Sequence, residues 1–541
     1  MARLKTFNVV YWNTLYLHYK DFGGDMNESA PMQNNSNIAA AAASQTMESN
    51  EHKHSGAAGK VGLLGLTAVV ISAMVGGGVF ELPQNMAMHA SAGGQILAWI
   101  ITGLGMWFIA DTFRVLAAVR PEYSDGLYSY AYHGFGRFVG FLVSYGYWAT
   151  NTVSLVAYGI LITSTLDFFF PGVFTGGTTI PAILVQSLVL WATFFMGRLG
   201  IRSGARINVA GTIAKLIPLA LFVVTMIVLF RMPQFVHGFW GWTPSGQPAP
   251  FDLSSVYAQS RQTMLVTLWV FNGVEGAVVV SANARSQRDV SRATTIGFIS
   301  ILVLYMLVSL LPLGVYAQPA LAKLPSPSVA AILGQIYGAW GEWIVNAGVI
   351  VSVLFAMLVW LLMLSQMPLN AARDGLMPSF LAQTDSNGTP RISMLYTVLI
   401  CQFLCIACHY IEGSAWNLMI SIVSVLSIPC YLCCAMYLWR ISRRDHIWPI
   451  NARFTRKHGL VIGVLGTFYM LYAAIVAGLD YVMAACIVYA IGTPLFVFAR
   501  HRANTQDAQG KLFTRAERIM LVLIVIAGIA GVIYVIMTRR V

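Results

Sequence analysis

The sequence contains little charge. Only 10% of its 541 residues are Asp, Glu, Lys or Arg, whereas a soluble globular domain carries about 25%. Hydrophobic residues make up 57% of the chain, and the mean hydropathy is +0.68. This composition excludes a soluble globular protein and predicts a polytopic protein that is embedded in a lipid bilayer.

The sequence also lacks the short motifs of common hydrolases. It has no HExxH, P-loop or GxSxG motif, so a membrane-embedded enzyme is the weaker alternative. Its seven cysteines fall in or beside late apolar segments, whereas a metal or redox site would usually bring His or carboxylate ligands with them. We interpret them as small packing residues, and we expect no metal, no cofactor and no catalytic residue.

Apolar windows of about 20 residues recur along the chain, and each is long enough for a bilayer core roughly 30 Å thick. We predict thirteen spans: 61–90, 93–119, 137–166, 180–198, 206–230, 262–284, 294–316, 343–371, 392–411, 416–439, 459–478, 481–499 and 517–537. Residues 1–60 mix Asn, Ser, Gln and Met without apolar periodicity, which predicts a disordered tail.

The basic residues are distributed unevenly between alternate loops. The loops on one side carry about 22 Lys and Arg residues, and those on the other side carry about 5. Positively charged loops stay in the cytoplasm. The net charge of +12 therefore indicates orientation in an inner (plasma) membrane, with a cytoplasmic N-terminus, rather than a nucleic-acid partner.

Two of the predicted spans are interrupted by glycine. The first contains "AMVGGGVFELP" (73–83), and the sixth contains "TLWVFNGVEGAVV" (267–279). Irregular backbone is tolerated at membrane depth only where it lines a cavity or packs inside protein. Corresponding breaks five spans apart indicate an inverted-repeat transporter with its site near the bilayer midplane. The alternative is that the glycines merely allow close helix packing.

The break in the first span suits an anion. The half-helix that follows Gly76–Gly78 begins with free N–H groups and a partial positive charge, which favour a carboxylate. Glycine lets the backbone itself touch the ligand.

These segments resemble a known family. "MVGGGVFELPQNMA" (74–87), "DGLYSYAYHGFG" (125–136), "TLWVFNGVEGA" (267–277), "RDVSRATTIGF" (288–298) and "NAARDGLMP" (370–378) are similar to the amino acid/polyamine/organocation transporters. Within that superfamily they resemble the basic amino acid antiporters, which exchange arginine for ornithine or agmatine. The resemblance extends over residues 61 to about 440 and continues beyond it.

The resemblance implies an all-α integral membrane fold, a five-plus-five inverted repeat with discontinuous helices 1 and 6 and 12 to 13 transmembrane helices. It implies a transport core at 61–440 and additional C-terminal helices at 441–541. It places tryptophans beside a cationic side chain at Trp269 and Trp360, a gating glutamate at Glu275 and an aromatic gate at Tyr147.

The sequence departs from the family pattern at three places. The asparagine of the third helix falls near Leu155, with only Asn151 and Ser154 close by. In "SIPCY" (427–431) the tyrosine is displaced by one place, which leaves the part of Tyr431 in a gate open. Glu81 stands where relatives usually carry an uncharged residue, and either a gating role or simple pairing with backbone amides would explain it.

Lys215 lies in the fifth span, about nine residues from Arg206 and hence roughly 13 Å deep. A charge at that depth is costly and usually functional, although a lysine can also extend to the surface. In relatives a lysine here replaces a metal ion that links the first, fifth and eighth helices. Asp111, three residues before Arg114, is expected to form a local ion pair.

We therefore predict a secondary antiporter that exchanges a basic amino acid, arginine first, for ornithine or a related amine by alternating access. A proton-coupled importer in which Lys215 titrates is the main alternative, and a channel is a third. Assembly as a homodimer stays open. The predicted substrate contacts are Ala73, Met74, Gly76, Gly77, Gly78, Trp269, Asn272, Gly273 and Trp360, and the predicted gating or coupling residues are Tyr147, Glu275, Lys215 and Glu81.

Overall fold

The structure is a computed structural model, and it describes residues 62–123, 127–198, 204–276, 285–385, 388–411, 413–444, 448–449, 453–503 and 513–538. The predicted tail, residues 1–60, lies outside the described residues. The described α-helices are α1 (Leu63–Met74), α2 (Leu82–Ala87), α3 (Ala92–Val119), α4 (Leu127–Phe135), α5 (Arg137–Leu166), α6 (Ile180–Arg198), α7 (Gly204–Leu229), α8 (Met232–Val236), α9 (Leu253–Val270), α10 (Gln287–Leu310), α11 (Gln318–Leu321), α12 (Ser328–Tyr337), α13 (Ala339–Arg373), α14 (Arg391–Ala407), α15 (Ala415–Ser442), α16 (Arg456–Val476), α17 (Leu479–Ala503) and α18 (Arg515–Thr538).

The long helices agree closely with the predicted spans. In the described part of the chain, eleven helices are long and apolar enough to cross a membrane. The bent pair at the first predicted span makes a twelfth if it counts as one broken span. The thirteenth predicted span forms α18, a helix of 24 residues. The second half of the sixth predicted span, 277–284, lies outside the described residues.

The first span bends by 54° at its glycines. α1 ends at Met74, Val75 and Gly76 leave the helical conformation, and a 3₁₀ turn over Gly77–Glu81 leads into α2. Pro83 in the first turn of α2 loses no hydrogen bond, because helix-starting N–H groups have no intrahelical partner. The predicted break is therefore confirmed, and it separates α1 from a second half-helix, which consists of the 3₁₀ turn and α2.

The centre of the bundle is formed by α5 and α15. Within the most apolar window of each helix, 83% of the residues are buried in α5 and 72% in α15, whereas only 11% are buried in α18. A helix that is apolar all round but mostly exposed presents its side chains to lipid. α5 and α15 are therefore the helices against which a site inside the bundle is built.

Four described α-helices, namely α4, α8, α11 and α12, lie outside the predicted spans, and the longest two of them are α12 and α4. α12 follows the seventh predicted span, and its ten residues are too few to cross a bilayer. α4 precedes α5 and is separated from it by Gly136, whose φ of 96° favours glycine. α12 matters for the site, because it packs against the second half-helix of the first span.

Candidate functional site

A small cavity lies where the two interrupted spans meet. Its volume is about 40 Å³, enough for about three water molecules at roughly 10–15 Å³ each. The described residues that line it carry no charge. They are Met74, Gly76, Gly78, Val79, Asn151, Ser154, Leu155, Tyr158, Trp269, Val270, Asn272, Tyr305 and Trp360. Recognition of a charged ligand here therefore relies on backbone groups, hydroxyls, amides and aromatic faces.

Six of the nine predicted substrate contacts line this cavity, namely Met74, Gly76, Gly78, Trp269, Asn272 and Trp360. Gly77 and Gly273 are not on its wall. Gly77 instead faces Leu161 and Val353, to which an added Cβ would approach within 2.4 and 2.8 Å. Ala73 lies in the last turn of α1, and its side chain is outside the described part of the structure.

The glycines at the first break are needed for close approach. A Cβ on Gly78 would lie 1.5 Å from Cη2 of Trp269, and one on Gly76 would lie 2.6 Å from the Tyr158 hydroxyl. Their backbone does not require glycine, since Gly76 is extended at φ −82° and the positive-φ glycines do not include these three. Close packing and a cavity-lining break thus occur together at this site.

The backbone carbonyls that the first break frees have side-chain partners. Lys215 Nζ, on α7, donates to Ser72 O at 3.0 Å and to Val75 O at 2.5 Å. The Tyr305 hydroxyl, on α10, donates to Met74 O at 2.7 Å. Lys215 is only 4% exposed. The end of α1 is thereby tied to two other helices at membrane depth, where an unpaired carbonyl would be costly.

The helix of the sixth span is interrupted just after Trp269. α9 ends at Val270, and residues 271–275 continue as turns in which Asn272 N donates to Trp269 O at 3.1 Å. Gly273 has φ 100°, a conformation that other residues rarely adopt. The predicted break is therefore confirmed over the described residues.

Glu275 joins this break to the two central helices. Its Oε1 accepts a hydrogen bond from the Tyr147 hydroxyl of α5 at 2.7 Å, and its Oε2 accepts one from the Tyr431 hydroxyl of α15 at 2.9 Å. The carboxyl group is 2% exposed and has no lysine or arginine partner within 4 Å among the described residues. The one-place displacement in "SIPCY" does not take Tyr431 away from Glu275. We call Tyr147, Glu275 and Tyr431 the tyrosine–glutamate lock.

Known proteins are similar in sequence to this chain over nearly its whole transmembrane part. The family model described as amino acid permease matches residues 61–525. This chain belongs to the amino acid permease family. The resemblance inferred from the sequence motifs is thus confirmed, as is the all-α transporter fold.

Individual relatives of this permease are closely similar. A Clostridium perfringens protein provisionally named an amino-acid transporter is 44% identical over 475 residues, which cover 88% of this chain and 98% of the relative. The arginine/agmatine antiporter of Chlamydia pneumoniae is 39% identical over 440 residues, 81% of this chain and 90% of its own length. That of Chlamydia caviae is 37% identical, covering 87% of this chain and 96% of the relative.

Glu81 lies in this permease away from the central cavity. Its carboxylate accepts hydrogen bonds from the Ser326 hydroxyl and from Ser328 N, the latter at 3.4 Å. The Ser328 hydroxyl also donates to Phe80 O at 3.1 Å. The second half-helix is therefore hydrogen-bonded to the segment that begins α12, and Glu81 contacts that segment rather than the cavity wall.

Sequence reasoning missed two aromatic residues of the cavity, Tyr158 and Tyr305. Both are buried tyrosines within long apolar helices, and that polar group at membrane depth was the available signal. The predicted ion pair between Asp111 and Arg114 is confirmed, with 3.0 Å between the charged atoms. It lies in α3 and takes no part in the cavity wall.

Proposed function

We propose that this permease is an antiporter of the inner membrane that exchanges a basic amino acid, arginine first, for ornithine or a related amine such as agmatine. The single observation that carries the proposal is the uncharged cavity at the first break, with Gly76 and Gly78 at one end and Trp269 and Trp360 in its wall. The printed names of the chlamydial relatives, arginine/agmatine antiporters, support the substrate class.

In this mechanism the substrate carboxylate binds the N–H groups at the start of the Gly77–Glu81 turn. Those groups precede the first intrahelical hydrogen bond, and such helix-starting N–H groups favour an anion. Asn272 adds a donor, because its Nδ2 is buried and has no acceptor among the described residues, and Asn272 lines the cavity. The uncharged cavity wall then binds the carboxylate end of a zwitterionic substrate without a lysine or arginine beside it.

The cationic end of the substrate lies between Trp269 and Trp360. Aromatic faces attract ammonium and guanidinium groups by about 0.5–2 kcal/mol or more when the pair is desolvated. The cavity of about 40 Å³ is too small for arginine, so substrate binding requires an aromatic wall to move. Trp269 packs edge-on against Trp416, with 5.4 Å between ring centroids, and its displacement would open the site on that side.

Two contacts close the cavity on opposite sides, and this arrangement fits alternating access. The tyrosine–glutamate lock joins the sixth span to α5 and α15 on the side of the basic loops, which we assign to the cytoplasm from the charge distribution. The Trp269–Trp416 pair lies on the opposite side of the cavity along α9. Opening one closure while the other holds would carry the substrate across. We keep 61–440 as the transport core and 441–541 as additional helices.

A proton-coupled importer is the second candidate, and the burial of Lys215 favours it. A lysine at that depth can exchange a proton during the cycle. Its two hydrogen bonds to carbonyls at the end of α1 support the antiporter instead, in which Lys215 stays charged and acts as a permanent brace. The two readings differ in what the protein does without a counter-substrate.

We expect the purified protein in proteoliposomes to take up almost no labelled arginine unless arginine, ornithine or agmatine is preloaded. Obligatory exchange requires a ligand for the return step. The measurement compares empty and preloaded vesicles, with and without an imposed pH gradient. Strong uptake into empty vesicles driven by the pH gradient would overturn the antiporter proposal and support the importer.

We expect Trp360→Ala to weaken arginine binding by at least about 1 kcal/mol, roughly fivefold in Kd, because a desolvated cation–π contact is lost. Calorimetry on the purified protein measures the affinity. Trp343→Ala is the matched control, since Trp343 lies on the same helix, is 55% exposed and does not line the cavity. Equal affinities in both variants would remove Trp360 from the site.

A further inference from the structure

A second chamber lies beside both broken spans. Its volume is about 470 Å³, against about 40 Å³ for the central cavity. It is lined by the end of the second half-helix of the first span, by α9 and by the starts of α15 and α17. We call it the outer chamber and define it by Asn85, Arg261, Asn417, Ser421 and Tyr481.

The outer chamber is in line with the central cavity along both broken spans. Asn85 follows Gly78 by seven residues through the 3₁₀ turn and α2, which places it roughly 10–13 Å further along the same span. Leu265 of the chamber precedes Trp269 of the cavity by four residues, one turn of α9. The two sites are therefore successive positions on one path.

The wall between them contains the Trp269–Trp416 pair. Trp269 lines the central cavity, Trp416 is next in the chain to Asn417 of the chamber, and the two rings contact edge-on. A ligand in the outer chamber therefore waits on the other side of the closure whose opening admits it to the central cavity.

The outer chamber contains an unpaired cation. Arg261 has no carboxylate or hydrogen-bond partner in the part of the chain that the structure describes, and the lining residues include no Asp or Glu. An arginine that has no carboxylate partner is unexpected on the path of a positively charged substrate, unless the chamber binds the anionic group of that substrate.

A buried amide points to the same kind of ligand. Asn85 is only 2% exposed, yet neither its Nδ2 nor its Oδ1 has a hydrogen-bond partner among the described residues. An unpaired buried amide is costly, so such groups normally meet a ligand or ordered water. Arg261 and Asn85 together offer the planar guanidinium and amide donors that bind a carboxylate.

We propose that the outer chamber is a second, transient binding site that selects α-amino acids by their carboxylate before they reach the central cavity. This inference rests on the proposed antiport. Arg261 attracts the carboxylate of arginine but repels agmatine, which lacks that group and therefore has a more positive net charge. The chamber would then give arginine a lower half-saturating concentration than agmatine on this face, while the concentration gradients of the two ligands set the direction of net exchange.

The test is the concentration dependence of exchange from the chamber side in oriented proteoliposomes with fixed internal arginine. We expect Arg261→Gln to raise the half-saturating concentration of arginine by about fivefold, the effect of one unit charge at roughly 4 Å in water-like surroundings. The half-saturating concentration of agmatine should stay the same or fall. Arg261→Lys should retain most of the preference, because it keeps the charge.

Arg231→Gln is the matched control, since it removes one exposed positive charge in the segment between α7 and α9 and does not line the chamber. Unchanged selectivity in Arg261→Gln, or an equal rise for arginine and agmatine, would overturn the chamber site while leaving antiport intact. Failure of the unaltered protein to exchange either ligand would overturn the proposed function, and the inference with it.

Discussion

Gly78→Ala is expected to reduce exchange to background. The added methyl carbon would lie 1.5 Å from Cη2 and 1.9 Å from Cζ3 of Trp269, so the indole must move. Trp416 packs edge-on against that ring, and Trp269 also lines the cavity of about 40 Å³. The displaced indole would therefore occupy the volume that the substrate needs. Arginine exchange in preloaded proteoliposomes measures the loss.

Gly62→Ala is the control for this glycine substitution. Gly62 precedes α1 in the same span, and no heavy atom lies within 4 Å of its added Cβ beyond its immediate neighbours. It should exchange at the rate of the unaltered protein. Gly78→Ala with normal exchange would show that the close contact between the first break and Trp269 is not required. A folded, monodisperse Gly78→Ala protein that binds no arginine would locate the defect at the site.

The broken spans were predictable because their signal is local. Three consecutive glycines in an apolar segment have few explanations at membrane depth, and the pattern in "FNGVEG" repeats the argument five spans later. Lys215 was predictable for the same reason, since a buried charge requires partners. Its acceptors were not predictable, because Ser72 O and Val75 O are backbone atoms of a distant segment.

Comparison with the family motif alone did not establish that Tyr431 belongs to the tyrosine–glutamate lock. A one-place displacement of Tyr431 left its part in a gate open, but one place on a helix rotates a side chain by about 100° and moves it by about 1.5 Å. The long phenol of Tyr431 still reaches Glu275 Oε2 at 2.9 Å. Tyr305 was missed because nothing in its own segment shows that it completes the break of the first span.

The outer chamber was not predictable from the sequence at all. Its residues come from four segments between Asn85 and Tyr481, and none of them belongs to a motif of its own. Arg261 resembles an ordinary loop arginine in the chain, because its position just before an apolar window suggests a membrane boundary. Only the fold places it beside an unpaired Asn85, on the path to the central cavity.

Lys215→Met is expected to abolish exchange and to lower thermal stability. Methionine keeps much of the side-chain volume but cannot donate, so Ser72 O and Val75 O lose the bonds of 3.0 and 2.5 Å that tie α7 to the end of α1. Each buried acceptor left unpaired costs about 1–3 kcal/mol. The end of α1 would then shift, and the cavity at Met74 and Gly76 depends on its position. Exchange flux and a thermal unfolding curve measure the two effects.

Lys323→Met is the matched control, because Lys323 is exposed between α11 and α12 and its loss removes the same charge without breaking a buried contact. It should leave both flux and unfolding temperature unchanged.

The two roles of Lys215 predict different residual activities. A brace is needed in every step, so both net uptake and exchange should disappear in Lys215→Met. A proton carrier is needed only when the empty transporter returns, so exchange between preloaded vesicles and external arginine should survive. Surviving exchange in Lys215→Met, at normal stability, would contradict the brace and assign Lys215 to proton coupling.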